Sequence, residues 1–164
     1  MAFFASQFVE CFRFSRLDAM LANAGGAAIF HAGLPRPAML VGIVLLVMII
    51  NVLMSSMSAK WTALSVILVP MMMMAGVSPE LTQATYRVGD SITNCVTPLN
   101  TYIVIILATV QRYRKSAGIG DLIALMLPFS AVFAIVWPLF LLAWVALGIP
   151  LGPFGPLNYT PPLQ

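Results

Sequence analysis

The sequence predicts an all-α integral membrane protein, and three observations carry that reading. Of 164 residues, 61% are hydrophobic and 8% charged, leaving eight basic and five acidic side chains where the usual quarter would give about 40. A soluble domain of this size could not cover its surface with so few. The apolar residues gather into long runs, the last of them at 121 to 148 with Asp121 as its one charge. Finally, no Ser/His/Asp triad, phosphate-binding glycine loop or zinc spacing is present, so catalysis, metal and cofactor have no residues to rest on. A net charge of +3 is too small to build a broad phosphate-binding face, which excludes nucleic acid as a partner. Cys11 and Cys95 read as buried thiols.

The first 37 residues read as a helix end followed by an amphipathic arm. Met1 runs into Ala2, Phe3 and Phe4 without a basic region, unlike a signal peptide, and the start looks abrupt, as if cut from something longer. Ser15 and Asp18 resemble a capping box, after which Leu17, Met20, Leu21, Ala24, Ala28 and Ile29 recur at helical spacing. Such an arm lies at the membrane surface and stops at Gly33, Pro35 and Pro37. His31 reads as interfacial.

Residues 38–54 and 62–77 are apolar runs of 17 and 16 residues, both short of the roughly 20 needed for a full span. Ser55 to Trp61 form a polar linker between them. Two thin spans with a surface loop, or one re-entrant hairpin over 38–77 whose tip stops in mid-membrane, both fit. In the first case Lys60 and Trp61 are a surface anchor pair; in the second the tip lines a polar cavity. Met71 to Met74 read as packing filler.

Ser78 can cap a helix with Pro79 in its first turn. Glu80, Gln83, Arg87, Asp90 and Asn94 then follow at spacings 3, 4, 3, 4, placing five polar side chains on one helical face. The chain continues into the apolar stretch Tyr102 to Leu107, interrupted by Pro98, which removes a donor and obstructs the carbonyl of Asn94. Residues 79–111 therefore read as one crossing broken near its middle, with Asn94, Thr97 and freed carbonyls beside the break. Broken crossings of this kind hold the ion and substrate sites of secondary transporters. Arg112, Arg114 and Lys115 mark the cytoplasmic side, with Tyr113 an interface aromatic. Residues 118–148 form the last transmembrane helix, and 149–164 a Pro- and Gly-rich tail on the opposite face.

A lone Arg, Lys or Asp at a helix centre costs about 2.5–3.5 kcal/mol by insertion scales. Pairing Arg87 with Asp90 at i, i+3 reduces that cost. The pair either only steadies packing or makes Asp90 a proton carrier, a carboxylate that can titrate inside the membrane.

Ser58-Ala59-Lys60-Trp61, Ser78-Pro79-Glu80-Leu81-Thr82-Gln83-Ala84, Tyr86-Arg87, Gly89-Asp90-Ser91 and Thr97-Pro98-Leu99, in that order, resemble the p-aminobenzoyl-glutamate transporter (AbgT) family over nearly the whole chain. The resemblance implies the C-terminal inverted-repeat half of a bacterial inner-membrane, multi-pass secondary transporter, with a re-entrant helical hairpin and a broken transmembrane helix. It implies a homodimer when complete, with the N-terminal half missing here as a partner. It places Ser58, Trp61, Pro79, Arg87, Asp90 and Pro98 along the transport site. Asn94 joins them from the helical face and from likeness to an ion-site position, and Lys60 from its chemistry and location. The cargo implied is a small anionic aromatic molecule, p-aminobenzoyl-glutamate or a related folate catabolite, with sulfonamides as a further class. Arg87 and Lys60 would attract its carboxylates, Trp61 would stack on its ring, and Asp90 with Asn94 would couple movement to protons. The serines, Asn94 and freed carbonyls offer sodium as the alternative ion. An acidic residue that the family supplies from its first hairpin has no counterpart. The competing expectation is a truncated product that inserts in the membrane but does not transport. A small scaffold without cargo would need no charged buried face.

Overall fold

The computed structural model describes residues 2–54, 56–153 and 155–159. Ser55 of the predicted linker, and Met1, Phe154 and residues 160–164 at the ends, lie outside them. The described residues form seven helices and no strand: α1 (Ala2–Phe14), α2 (Leu17–His31), α3 (Arg36–Leu53), α4 (Met57–Met74), α5 (Pro79–Thr93), α6 (Thr101–Gln111) and α7 (Ile119–Ala146).

Local chemistry sets most of the boundaries. Ser78 Oγ accepts from the Leu81 amide at 3.1 Å, and Pro79 opens α5, as Ser-Pro at a helix start predicts. Asn100 caps α6 through the Tyr102 amide at 3.0 Å, and the Asp121 carboxylate accepts from the Gly118 amide at 2.9 Å to begin α7. The expected cap at Ser15 does not form. Its hydroxyl donates backwards to the Phe12 carbonyl at 3.0 Å, closing α1, and the chain turns into α2 through Arg16 at φ 55°. Gly76, at φ 78°, supplies the left-handed residue that ends α4.

The predicted break is present. Thr97 precedes a proline and is disfavoured in helical geometry, so α5 stops at Thr93 and α6 starts at Thr101. At 1.5 Å per residue the two pieces are about 22 and 16 Å long, together enough for one crossing of a hydrocarbon core of about 30 Å.

Hydrogen bonds at their ends fix how α3, α4 and α5 run. Arg36, at the start of α3, donates to Asn158 Oδ1 at 2.6 Å and to the Leu157 carbonyl. Just after α4, the Gly76 carbonyl accepts from the Tyr159 amide at 3.0 Å, and the Ser78 amide donates to Leu157 at 3.4 Å. Helices α3 and α5 therefore leave the tail together, and α4 returns to it. At the far end the Tyr86 hydroxyl donates to the Met57 carbonyl at 3.1 Å. Helices α3 and α4 are thus a hairpin whose tip lies beside the end of α5. Beyond that level α6 packs chiefly on α7, which returns over 28 residues.

Gly89 makes the α3–α5 contact possible, since a Cβ there would sit 2.8 Å from the Val44 carbonyl oxygen and 3.0 Å from Val47 Cβ. The core on either side of it holds Leu40, Val44, Val47, Leu81, Tyr86 and Ile92. The predicted arm forms α2, which lies along the second half of α4 with Gly25 against Met71 and Gly26 against Met74. By length and composition, α3, α4 and α7 are each long and apolar enough to cross a membrane. The hairpin arms reach 18 residues, longer than their apolar runs, because α3 takes in Arg36 and Pro37 and α4 takes in Met57 to Trp61.

Candidate functional site

Lys60 lies in the first turn of α4 and Asp90 in the last turn of α5, and both are fully buried. The Lys60 ammonium donates to Asp90 Oδ1 and to Asn51 Oδ1 from the end of α3. It is the one ion pair among the described residues. Asn51 is itself held in place: its Nδ2 donates to the Asp90 carbonyl at 2.9 Å, Thr93 Oγ1 at 2.8 Å and Asn94 Oδ1 at 3.2 Å. Three helix ends thus meet on one charge pair. Asp90 Oδ2 is buried and receives no hydrogen bond. Taking two charges out of water costs several kcal/mol per ion, so a pair like this persists only where further hydrogen bonds hold it.

The predicted pairing of Arg87 with Asp90 does not form. Gly89 marks the middle of the packed side of α5, and Asp90 sits beside it, within reach of Lys60. Arg87 points to the opposite side with exposed Glu80, Gln83 and Ser91. It is half-buried, with its guanidinium 5.9 Å from the centre of the Tyr86 ring, within cation–π range.

The carbonyls expected to be free at the break are occupied. The Asp90 carbonyl is taken by Asn51, the Thr93 carbonyl by Thr97 Oγ1 at 2.8 Å, and the Asn94 carbonyl by Asn100 Nδ2 at 2.9 Å. Side-chain donors thus satisfy backbone groups that a break inside a membrane would otherwise leave unpaired.

Of the predicted site residues, the structure brings Lys60, Asp90 and Asn94 into one cluster. Trp61 is half-buried beside it, its ring 4.8 Å from that of Tyr86 and tilted by 47°. Lys60 is too deeply buried for a surface anchor, and its charge is already met by Asp90. Ser58 at the tip and Pro98 in the break are exposed, as is the outer side of the tip at Ser56 and Met57. Pro79 lies eleven residues before Asp90, about 16 Å along the helix, and is not part of the cluster. The sequence reading missed Asn51, Tyr86 and Thr93. Asn51 had a signal, because it is the one polar side chain in the run 38–54. Among the described residues no His, Cys, Asp and Glu group could hold a metal.

Membrane-length apolar helices, a broken crossing and a charge pair buried at the break are features with which membrane transporters build their sites. Residues 1–159 match the AbgT transporter family, and the chain belongs to that family. It is 34% identical over 153 residues to the p-aminobenzoyl-glutamate transport protein of Escherichia coli (strain K12), a match covering 93% of this chain and 30% of that protein. The fold matches the crystal structure of the Alcanivorax borkumensis YdaH transporter with a TM-score of 0.84 and 46% identity, over 92% of this chain and 32% of that one. It matches Neisseria gonorrhoeae MtrF, described among a class of antimetabolite efflux pumps, with a TM-score of 0.79 and 42% identity, over 94% of this chain and 31% of that one. The chain spans just under a third of the length of these relatives.

Proposed function

We propose that this chain forms the ion-coupling part of a secondary transporter for p-aminobenzoyl-glutamate or related folate catabolites, with sulfonamides as a second cargo class. The buried Lys60–Asp90 pair, set where the hairpin tip meets the helix break, carries this reading. In it, α3 and α4 are a re-entrant hairpin that enters from the tail side and turns beside the break. Asp90 takes up and releases the coupling proton, and Asn94 orients Asn51 beneath it. Ser58, Trp61, Arg87, Pro79 and Pro98 border the cargo's path, with Arg87 as the unpaired cation for a carboxylate and Trp61 as the ring for stacking. The setting is a bacterial inner membrane and the working assembly a homodimer.

The exposed row of Glu80, Gln83 and Ser91 with half-buried Arg87 favours a second point. A polar row on a membrane helix needs a facing wall, and in this reading the wall comes from sequence matching the other two thirds of the relatives. The chain alone then inserts without transporting.

The test is a chimera in which these residues replace the matching 30% of the Escherichia coli relative. Reconstituted in liposomes with labelled p-aminobenzoyl-glutamate and a proton gradient, the chimera should accumulate cargo saturably and the 164-residue chain should not. A well-inserted chimera that is inactive overturns the assignment, and saturable accumulation by the chain alone overturns the need for a second wall.

A further inference from the structure

Lys60 does more in this geometry than neutralise Asp90. Hard cations bind oxygen ligands, typically carboxylates and amide carbonyls, and the two oxygens that receive the ammonium, Asn51 Oδ1 and Asp90 Oδ1, are of those two kinds. They come from different helices, α3 and α5, whereas the ammonium comes from a third, α4. Asn51 cannot turn away, because its Nδ2 is engaged by Asp90, Thr93 and Asn94. Its carbonyl oxygen is therefore presented to whatever cation sits above Asp90. The second carboxylate oxygen, Asp90 Oδ2, is buried without a donor, so the seat has one more acceptor than the ammonium uses.

We propose that Lys60 is the ion-selecting residue of this site: its ammonium is a tethered cation that fills the seat formed by Asn51 Oδ1 and Asp90 Oδ1 and keeps alkali cations out of it. A sodium ion reaching both carboxylate oxygens must first displace the ammonium. Because Lys60 belongs to α4, displacement also removes the one charged contact between the hairpin tip and α5. The inference rests on the reading of Asp90 as the coupling residue, but its test measures cation occupancy without transport, so the two can fail separately.

The experiment compares thermal unfolding of the 164-residue chain in detergent, in sodium chloride and in N-methyl-D-glucamine chloride at equal ionic strength. Wild type and Lys60→Arg, which keeps a tethered cation, should unfold at the same temperature in both salts. Lys60→Met and Lys60→Gln should be less stable in the organic salt and recover in sodium, saturably, by about 2–5 °C. Adding Asp90→Asn to either variant should abolish the recovery. Saturable stabilisation of wild type by sodium would show that the ammonium does not hold the seat. Loss of Lys60→Met and Lys60→Gln alike in both salts, or recovery that survives Asp90→Asn, would also overturn the proposal.

Discussion

The two ends of the α3–α4 hairpin are fastened by different chemistry. At the base, Arg36, Gly76 and Ser78 are joined to the tail by backbone and side-chain hydrogen bonds, with Val77 bridged to Asn158 and the Ser78 hydroxyl donating to the Pro156 carbonyl at 2.5 Å. These contacts are numerous, most of them involve uncharged groups, and several are backbone to backbone. At the tip the uncharged bonds of Asn51 and Tyr86 surround one buried ion pair, Lys60–Asp90, with a carboxylate oxygen left over. Losing one neutral hydrogen bond costs about 1 kcal/mol, whereas removing one member of a buried ion pair costs about 3–5 kcal/mol. The base tolerates small losses without changing shape. The tip responds sharply to one charge, which makes it the end suited to switching.

Asp90→Asn should produce the largest effect. The amide keeps the shape of the carboxylate but cannot titrate, and it leaves Lys60 buried without a counter-charge, a loss of about 3–5 kcal/mol. In the chimera, gradient-driven transport should fall to background while the protein still appears in the membrane fraction. Transport unchanged across the pH range would reduce the tip to a structural fastening and erase the contrast with the base.

A smaller effect is expected at Gly89, the point between the two ends where α3 rests on α5. With Val44 oxygen only 2.8 Å from the position of a new Cβ, Gly89→Val must push the α3 backbone away, and overpacking of this kind costs about 1–3 kcal/mol. Asn51 is one turn beyond Val47, whose Cβ would lie 3.0 Å from the new one, so the cluster should loosen with it. Chemical unfolding of the variant in detergent should show the loss of stability. An unchanged midpoint would mean that the helix contact does not position the tip.

What the sequence revealed about this arrangement depended on the range of each signal. The cap at Ser78 and the break near Pro98 are local, written in residues next to the backbone they change, and both are seen. The run lengths leave two thin spans and one re-entrant hairpin both open, because apolar run length states how far a helix reaches, not which neighbour it lies against. The contact of Arg36 with Asn158, 122 positions away, joins the start of α3 to the tail and has no local signal. The sequence marks Asp90 as a special charge but does not indicate its partner. Helical spacing points to Arg87, three residues away, while Lys60 reaches Asp90 from a different helix. Asn51 lies in a run that is otherwise apolar, where period-based reading registers the apolar majority and passes over the single amide.

The mildest expected effect is at the base. Ser78→Ala removes the cap on the Leu81 amide and the donor to the Pro156 carbonyl, although the Val77–Asn158 bridge and the two bonds from Arg36 remain. Losing a serine N-cap costs about 1 kcal/mol, and in a chain of this size each such loss lowers the unfolding temperature by about 2–4 °C. The effect should be the same in sodium and in N-methyl-D-glucamine chloride, since no charge at the tip has changed. Amide exchange would separate the ends further. Protection should fall in the first turn of α5 while the amides from Gly89 to Thr93 keep theirs, because that turn alone loses its cap. Equal loss of protection along all of α5 would mean that base and tip form one cooperative unit, and that the tip cannot let go while the base holds.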